Sequence, residues 1–187
     1  MGPLFSQFVD ELIQKSPCPV LIVSARPTIG EPGTPARVLL PVLGHHRVSR
    51  GAEIAFAIAR DRNVVVKVLH PVAGQRRRFA PGMSGTVRNA VNIGRDLVSK
   101  VAEFGNSLGA SVETEVTVSD NPEQSVIQNA KRDAGLIVLE TTRAPVTQRA
   151  FFGHDVDFLL RHAPCPVALI TVPEPGGPGG PASPPAP

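Results

Sequence analysis

The residues best placed to do chemistry lie between two apolar segments near the carboxyl end of the chain. The sequence predicts a strand over Leu136 to Leu139, a loop over Glu140 to Gly153, a helix over Asp155 to His162 and a strand over Val167 to Val172. Many α/β proteins bind phosphate with a strand, a long loop and a helix N-terminus, because free backbone N–H groups and the helix dipole attract an anion. This segment is therefore a candidate anion site.

The charged side chains of this segment oppose phosphate binding. Glu140 adds bulk and negative charge where a glycine would let backbone amides approach an anion. Asp155 is predicted to be the N-cap of the following helix, and Asp157 to interact with its dipole. At about 4 Å and an effective dielectric of about 20, each repulsion of a phosphate costs about 4 kcal/mol before screening. Arg143 offsets part of this charge, and a Glu140–Arg143 pair could fill the vacant site.

Other reactive residue types are better explained by structure than by chemistry. His45 and His46 are adjacent and have no third ligand at a suitable spacing, so we interpret them as solvated loop residues. Cys18 and Cys165 each lie within Pro-Cys-Pro and are predicted to be buried packing residues. The sequence contains no Walker loop, nucleophile elbow or spaced metal motif. We therefore expect no catalytic residues, no metal site and no enzymatic activity.

Composition excludes further classes of function. The chain has 187 residues, 42% of them apolar, which suits one α/β domain with extensions. Its net charge of +3 is too small to indicate nucleic-acid binding, and the absence of Trp and Tyr argues against a base-stacking platform. There is no signal-peptide pattern, and no apolar run reaches the roughly 18 residues that span a bilayer. These features favour a cytoplasmic chain that binds no nucleic acid.

The elements that position the candidate site alternate between strands and helices. Three further strands are predicted, over Val38 to Leu43, Asn63 to Val72 and Ser111 to Val118. Alternation of this kind predicts an α/β fold, with a five-stranded parallel doubly wound sheet of order 3-2-1-4-5 and helices on both faces. Pro41 argues against a central position for the first strand, because proline cannot donate to a sheet ladder.

The predicted strand order brings two strand ends together. The first and fourth strands are neighbours at the point where the order reverses, and open α/β sheets bind ligands outside the carboxyl ends of such strands. The predicted ligand-binding residues at these ends are Leu43, Gly44, His45, Glu140, Thr141 and Thr142.

A repeat connects the two ends of the chain. Residues 9–23 align with residues 156–170 at a constant offset of 147, and Phe5 falls opposite Phe152. A repeat of this length indicates two copies of a domain, of which the first retains only its last helix and strand. We therefore expect the chain to be part of a longer protein. The predicted organisation is a remnant of a preceding repeat (1–24), a linker (25–36), a complete domain (37–172) and a disordered Pro/Gly-rich tail (173–187).

Residues 37–172 resemble the universal stress protein family. The resemblance is carried by the segments VLLPV, VLHPV and GLIVLE, and above all by FFG followed by LLRHAPCPVALI. Members that bind ATP share a pattern of Gly, two residues, Gly, nine residues, Gly and then Ser or Thr. They also place an Asp at the end of the first strand, near the adenosine.

This chain keeps the spacing of that pattern, but most of the residue types at its positions are different. The four positions are Glu140, Arg143, Gly153 and His154, and Leu43 replaces the strand-end aspartate. Since only Gly153 carries over, the resemblance implies a degenerate nucleotide site and no bound cofactor. The alternative is a sensor that binds ATP, AMP or a cyclic dinucleotide through Arg143 and the histidines.

The segment TRAPVTQRAFFG is similar to those of stress-protein domains appended in tandem to cation/proton antiporters. This resemblance implies a non-catalytic regulatory domain, tethered to the inner membrane and in contact with the transporter membrane domain. Family dimers commonly pair their last strands antiparallel. We therefore expect Val20 to Val23 to pair with Val167 to Thr171, either within one chain, as contact with the preceding repeat, or swapped between two copies.

Overall fold

The computed structural model describes residues 5–25, 37–43, 50–74, 84–142, 152 and 154–173, with the backbone alone for 84–86 and 154. Most of the predicted linker and tail therefore lies outside the described residues. The described helices are α1 (Gln7–Lys15), α2 (Arg50–Arg62), α3 (Ser84–Ser107), α4 (Pro122–Asp133) and α5 (His154–His162). The strands are β1 (Val20–Ser24), β2 (Arg37–Pro41), β3 (Val66–Ala73), β4 (Val112–Ser119), β5 (Ala134–Thr142) and β6 (Val167–Val172).

The six described strands form one sheet of order β1-β6-β5-β2-β3-β4. Strands β2 to β6 are the first to fifth strands of the predicted domain, and they run parallel to one another in the order β4-β3-β2-β5-β6. This is the predicted order 3-2-1-4-5, and it confirms the doubly wound α/β class. The predicted count of five strands is too small, because β1 joins β6 as a sixth, antiparallel strand within the same chain. At the other end lies β4, in which polar and apolar residues alternate as in a half-exposed edge strand.

Helices cover both faces of the sheet, as predicted. Side chains of α1, α4 and α5, including Ile13 and Leu159, belong to a first core cluster on one face. Side chains of α2 and α3, including Phe56, belong to a second cluster on the other face. Leu169 and Ile170, adjacent in β6, enter the first and the second cluster respectively. The buried strands are thus apolar on both faces, as a sheet between two helix layers requires.

Helix α3 approaches its neighbours closely at Gly105. A Cβ atom at this position would lie 2.6 Å from the ring of Phe56 and 2.7 Å from the Val112 side chain. The glycine therefore allows α3 to pack against α2 and β4 at once. The helix ends at Ser107, and Gly109 just beyond it adopts a φ of +78°, a left-handed conformation that favours glycine after a helix.

Pro41 is the last residue of β2, which lies in the centre of the sheet, so the expectation that this proline excludes a central position is wrong. The N–H of Val42 donates to the carbonyl of Leu69 in β3 at 2.8 Å. Because successive residues direct their backbone groups to opposite edges of a strand, Pro41 faces β5. The pairing of β2 with β5 ends at Leu39, so the proline removes no hydrogen bond from that ladder.

The two cysteines differ in exposure. Cys165 is 1% exposed, which confirms that it is a buried packing residue. The same prediction is wrong for Cys18, which is exposed. Cys165 joins the first core cluster, whereas Cys18 lies in the equivalent turn between α1 and β1, at the margin of the described fold. Equal local sequence therefore gives different burial because the surrounding elements differ.

Candidate functional site

The carboxyl ends of β2 and β5 lie side by side, since these strands are paired with Leu39 opposite Ile137. Beyond that pair, Leu43 is half-buried and packs against the first core cluster. Thr141 and Thr142 are also half-buried, and the Thr141 hydroxyl donates to the carbonyl of Thr142 at 3.3 Å. An apolar side chain thus covers the strand end at which the resemblance places an aspartate.

Glu140 connects this edge of the sheet to the N-terminus of α2. Its Oε2 atom accepts a hydrogen bond of 2.6 Å from the backbone N–H of Gly51, the second residue of the helix. The N–H groups of a first helical turn have no partner inside the helix. The Glu140 carboxylate therefore satisfies one of them and interacts favourably with the helix dipole.

Sequence reasoning missed Gly51 as part of the site. The predicted strand order already contained a signal that α2 begins near Glu140. In the predicted order the strand that precedes α2 is the neighbour of the strand that carries Glu140, so the start of α2 lies near the end of β5. The side-chain direction that completes the contact depends on the packed structure.

A second carboxylate lies at the N-terminus of α5. Asp157 is 9% exposed, and its Oδ1 atom accepts a hydrogen bond of 2.9 Å from the backbone N–H of Phe152. The helix begins at His154, so the prediction that Asp155 is its N-cap is wrong: Asp155 is an exposed residue within the first turn. Asp157 instead reaches back to the backbone of the segment before the helix.

Several predicted site residues cannot be placed on this geometry. Gly44, His45, Arg143 and Gly153 lie outside the described residues, and so does the predicted Glu140–Arg143 pair. For His154 the structure describes the backbone, which begins α5.

The described part of the chain lacks two kinds of feature. It contains no group of three His, Cys, Asp or Glu side chains that could hold a metal ion. Within the same residues, no helix combines the length and apolar character needed to cross a membrane.

Comparison with known families matches residues 36–171 to the model of the universal stress protein family. The chain belongs to the universal stress protein family. Within the described part of this universal stress protein, the match covers β2 to β5, β6 as far as Thr171, and helices α2 to α5. A search of curated proteins found no significant match.

Solved structures of other universal stress proteins share the fold. One from Archaeoglobus fulgidus has a TM-score of 0.59 and 22% identity, and covers 72% of this chain and 98% of its own. A structure from the same organism in complex with dAMP has a TM-score of 0.55 and 22% identity, with 72% and 97% covered. Universal stress protein UspA from Lactobacillus plantarum has a TM-score of 0.55 and 20% identity, with 75% and 99% covered.

Proposed function

We propose that this universal stress protein domain is a non-catalytic regulatory and interaction module whose ancestral nucleotide site is occupied by its own side chains. The observation that carries the proposal is the 2.6 Å hydrogen bond from Gly51 N–H to Glu140 Oε2. Glu140 stands at the first glycine position of the pattern shared by ATP-binding members. A carboxylate at that position takes up a helix amide that could otherwise receive an anion.

The N-terminus of α5 supports the same proposal. Asp157 accepts the N–H of Phe152, the residue before the one glycine of the pattern that the chain retains, Gly153. A phosphate at either helix N-terminus would therefore meet a carboxylate that already accepts a backbone N–H. Each repulsion at about 4 Å costs about 4 kcal/mol before screening at an effective dielectric of about 20. Binding in the usual pose is therefore strongly disfavoured.

Isothermal titration calorimetry with ATP and AMP tests this proposal. We expect no binding heat from the wild-type chain, and detectable binding from a variant that combines Glu140→Gly with Leu43→Asp. The double change removes the blocking carboxylate and restores the acidic residue at the strand end. Glu103→Gln is the matched control, because Glu103 is an exposed acid of α3 away from the site. Micromolar ATP binding by the wild-type chain, unaltered by Leu43→Asp, would contradict the proposal.

The second candidate function is a nucleotide sensor. It is favoured by the dAMP complex of the similar Archaeoglobus fulgidus protein and by Thr141, a half-buried residue with a hydroxyl at the same edge of the sheet. A thermal-shift panel of ATP, AMP and cyclic dinucleotides separates the two functions. A rise in Tm with one member of the panel, reduced by Thr141→Val, supports the sensor. Unchanged Tm values across the panel support the regulatory module.

An enzymatic function is the weakest of the three. Hydrolysis requires a held triphosphate, which the two carboxylates oppose. Phosphate release from ATP is therefore expected to equal that of a blank without protein.

We further propose that the domain is the cytosolic tail of a membrane cation/proton antiporter and acts through contacts with the membrane domain. The support is the resemblance of TRAPVTQRAFFG, at residues 142–153, to domains appended to such transporters. The coding sequence upstream of Met1 tests this proposal. A series of apolar segments, each long enough to span a bilayer, is expected there. A soluble upstream region would remove the transporter from the proposal without affecting the account of the nucleotide site.

A further inference from the structure

Strand β4 ends the sheet with an unpaired backbone edge. It is eight residues long, and among the described strands it pairs with β3 alone. The N–H of Gly74 donates to the carbonyl of Ser119 at 2.8 Å, so the odd-numbered residues of β4 turn their backbone groups toward β3. Because successive residues of a strand face opposite edges, the backbone groups of Thr114, Val116 and Val118 point away from the sheet. An open edge of this length is a template for a further strand.

Two carboxylates line this edge on the side of the sheet that α4 covers. The hydroxyl of Thr117 lies 2.9 Å from the hydroxyl of Ser125 in α4, which places the odd-numbered side chains of β4 on the α4 side. Glu113 and Glu115 are therefore on that side as well. Their side chains are 52% and 33% exposed, so both acids are accessible from the open edge.

The cations that pair with these acids lie further inside the sheet. Glu113 pairs with Arg37 of β2, and Glu115 pairs with Lys67 of β3 at 2.6 Å. Arg37 also binds Asp133 at 3.0 Å, so two cations and three carboxylates leave this network with a net charge of −1. In both pairs with β4 the cation is less exposed than the acid, at 32% for Arg37 and 13% for Lys67. A strand added beyond β4 would therefore meet the carboxylates first.

The opposite side of the same edge is apolar or β-branched. Val116 packs against the second core cluster, and a Cβ atom at Gly94 of α3 would lie 3.3 Å from its Cγ1 atom. Val118 follows two residues later on the α3 side and is 52% exposed. Thr114 is exposed on this side too. The described part of α3 thus leaves both ends of this apolar row accessible to a neighbouring strand.

We propose that the outer edge of β4 binds an extended segment of a partner protein in which basic residues alternate with apolar or β-branched ones. The backbone of the segment pairs with the outward groups of Thr114, Val116 and Val118, in the manner of strand addition to a sheet edge. Its basic side chains lie on the α4 side, beside Glu113 and Glu115. Its other side chains lie on the α3 side and cover Val118. Opposite charges and β-branched pairs across neighbouring strands both stabilise a sheet.

The same carboxylates select against other occupants of the edge. Charged side chains on an edge strand discourage pairing with strands that cannot neutralise them. A second copy of β4 would bring the same two acids to the α4 side and no cation from β4 itself. Like charges on one face of a strand pair are destabilising. A basic segment therefore fits the edge better than a second copy of this chain does.

This docking surface is separate from the candidate nucleotide site. Strands β2 and β3 lie between β4 and the strand that carries Glu140. ATP and AMP are therefore expected to leave the binding of the segment unchanged. Failure of the segment to bind would leave the account of the nucleotide site intact.

Amide hydrogen exchange of the full chain tests the proposal with a short peptide in which Lys alternates with Val. We expect the amides of Thr114, Val116 and Val118 to exchange at least about tenfold more slowly with saturating peptide, because they gain strand partners. The amides of Glu115 and Thr117, which face β3 with or without peptide, are the internal reference. The control peptide carries Glu in place of each Lys and is expected to give no protection.

Three results of this experiment overturn the proposal. Equal protection by the two peptides would show that charge does not select the partner. No protection by the Lys peptide, at the highest concentration that stays soluble, would show that the edge does not bind such a segment. Protection without peptide that rises with the concentration of the chain would identify a second copy as the occupant.

Substitutions at the edge give a second readout, the affinity for the Lys peptide. Thr114→Pro removes an outward N–H and no hydrogen bond to β3, and it is expected to weaken binding about tenfold with little change in Tm. Thr114→Val is the matched control, since it keeps the N–H and the β-branched shape. Equal affinities of these two variants count against the proposal.

A change of charge tests the other half of the contact. Glu113→Gln is expected to weaken binding of the Lys peptide severalfold and to reduce the dependence of the affinity on salt concentration. Glu103→Gln is the control, because Glu103 is an exposed acid on α3. Equal affinities and salt dependences of the two variants would contradict the role of the β4 carboxylates.

Discussion

Glu140 and Asp157 show how single carboxylates can change the character of a helix N-terminus. Each accepts one backbone N–H, from Gly51 and Phe152 respectively. Hydrogen bonds to ionised acceptors are stronger than neutral ones, and the dipole of the helix adds to them. The same N–H groups and dipoles are what phosphate sites use. The two acids therefore stabilise the fold, and in the function proposed above they do so through groups that a nucleotide would need.

Replacement of Glu140 separates its charge from its role as a hydrogen-bond acceptor. We expect Glu140→Ala to lower the free energy of unfolding by about 1–3 kcal/mol, because the Gly51 N–H loses its acceptor. Glu140→Gln keeps an acceptor oxygen and loses only the favourable charge at the helix N-terminus, about 0.3–1 kcal/mol. Urea denaturation measures both variants. Equal destabilisation by the two variants would show that charge, rather than hydrogen bonding, dominates the contact.

At the scale of elements, α1 and α5 show that one sequence pattern can be core or surface. Both helices are amphipathic and precede a Pro-Cys-Pro turn and an apolar strand. Leu159 of α5 is fully buried, whereas its equivalent Leu12 in α1 is half exposed. The difference lies in the neighbours. Helix α5 packs in a core completed by α4 and the parallel strands, while α1 contributes to that core mainly through Ile13.

This difference predicts unequal effects of the same substitution. Leu159→Ala is expected to lower the free energy of unfolding by about 2–5 kcal/mol, because it leaves a cavity in the core. Leu12→Ala is expected to cost less than about 1 kcal/mol, since half of the side chain is already in water. Each variant is the control for the other in chemical denaturation. Similar losses from both would mean that the outer side of α1 is covered in solution.

At the scale of the whole molecule, β1 covers an edge of the sheet that would otherwise be open. Strand β6 is buried along almost its whole length and pairs with β5 on one side and β1 on the other. Without β1 it would present an apolar edge strand, which favours association with another chain. At the centre of the β1–β6 pair, Ile22 lies opposite Leu169, its own repeat equivalent, so the pairing has two-fold symmetry. A second β6 could therefore take the place of β1.

Deletion of residues 1–24 is therefore expected to produce a dimer through β6. Light scattering coupled to size-exclusion chromatography should give twice the mass of the shortened chain, with the intact chain as the reference. Circular dichroism confirms that the shortened chain is folded. A folded, shortened chain that stays at the mass of one copy at high concentration would refute the role assigned to β1.

Much of the architecture can be read from the sequence because it depends on local pattern and chain order. Apolar segments and turn residues predict the strands, and Gly109 ends α3 where its residue type indicates. The alternation of strands and helices leads to the strand order, since parallel crossovers have one hand. The repeat at an offset of 147 identifies β1 as the equivalent of β6, and the resemblance to the stress-protein family implies that the two strands pair antiparallel. The structure shows that pairing within one chain.

The tertiary structure decides which groups actually meet. Gly51 and Glu140 are far apart in the chain, and only the packing of α2 beside β5 brings the N–H and the carboxylate together. Pro41 is tolerated in a central strand because the pairing with β5 ends before it. Cys18 is exposed and Cys165 buried although both lie in Pro-Cys-Pro. Sequence by itself determined the elements and their order, because these follow from local periodicity and chain connectivity. Burial and the partners of polar groups were decided by tertiary structure, because both depend on neighbours that are distant in the chain.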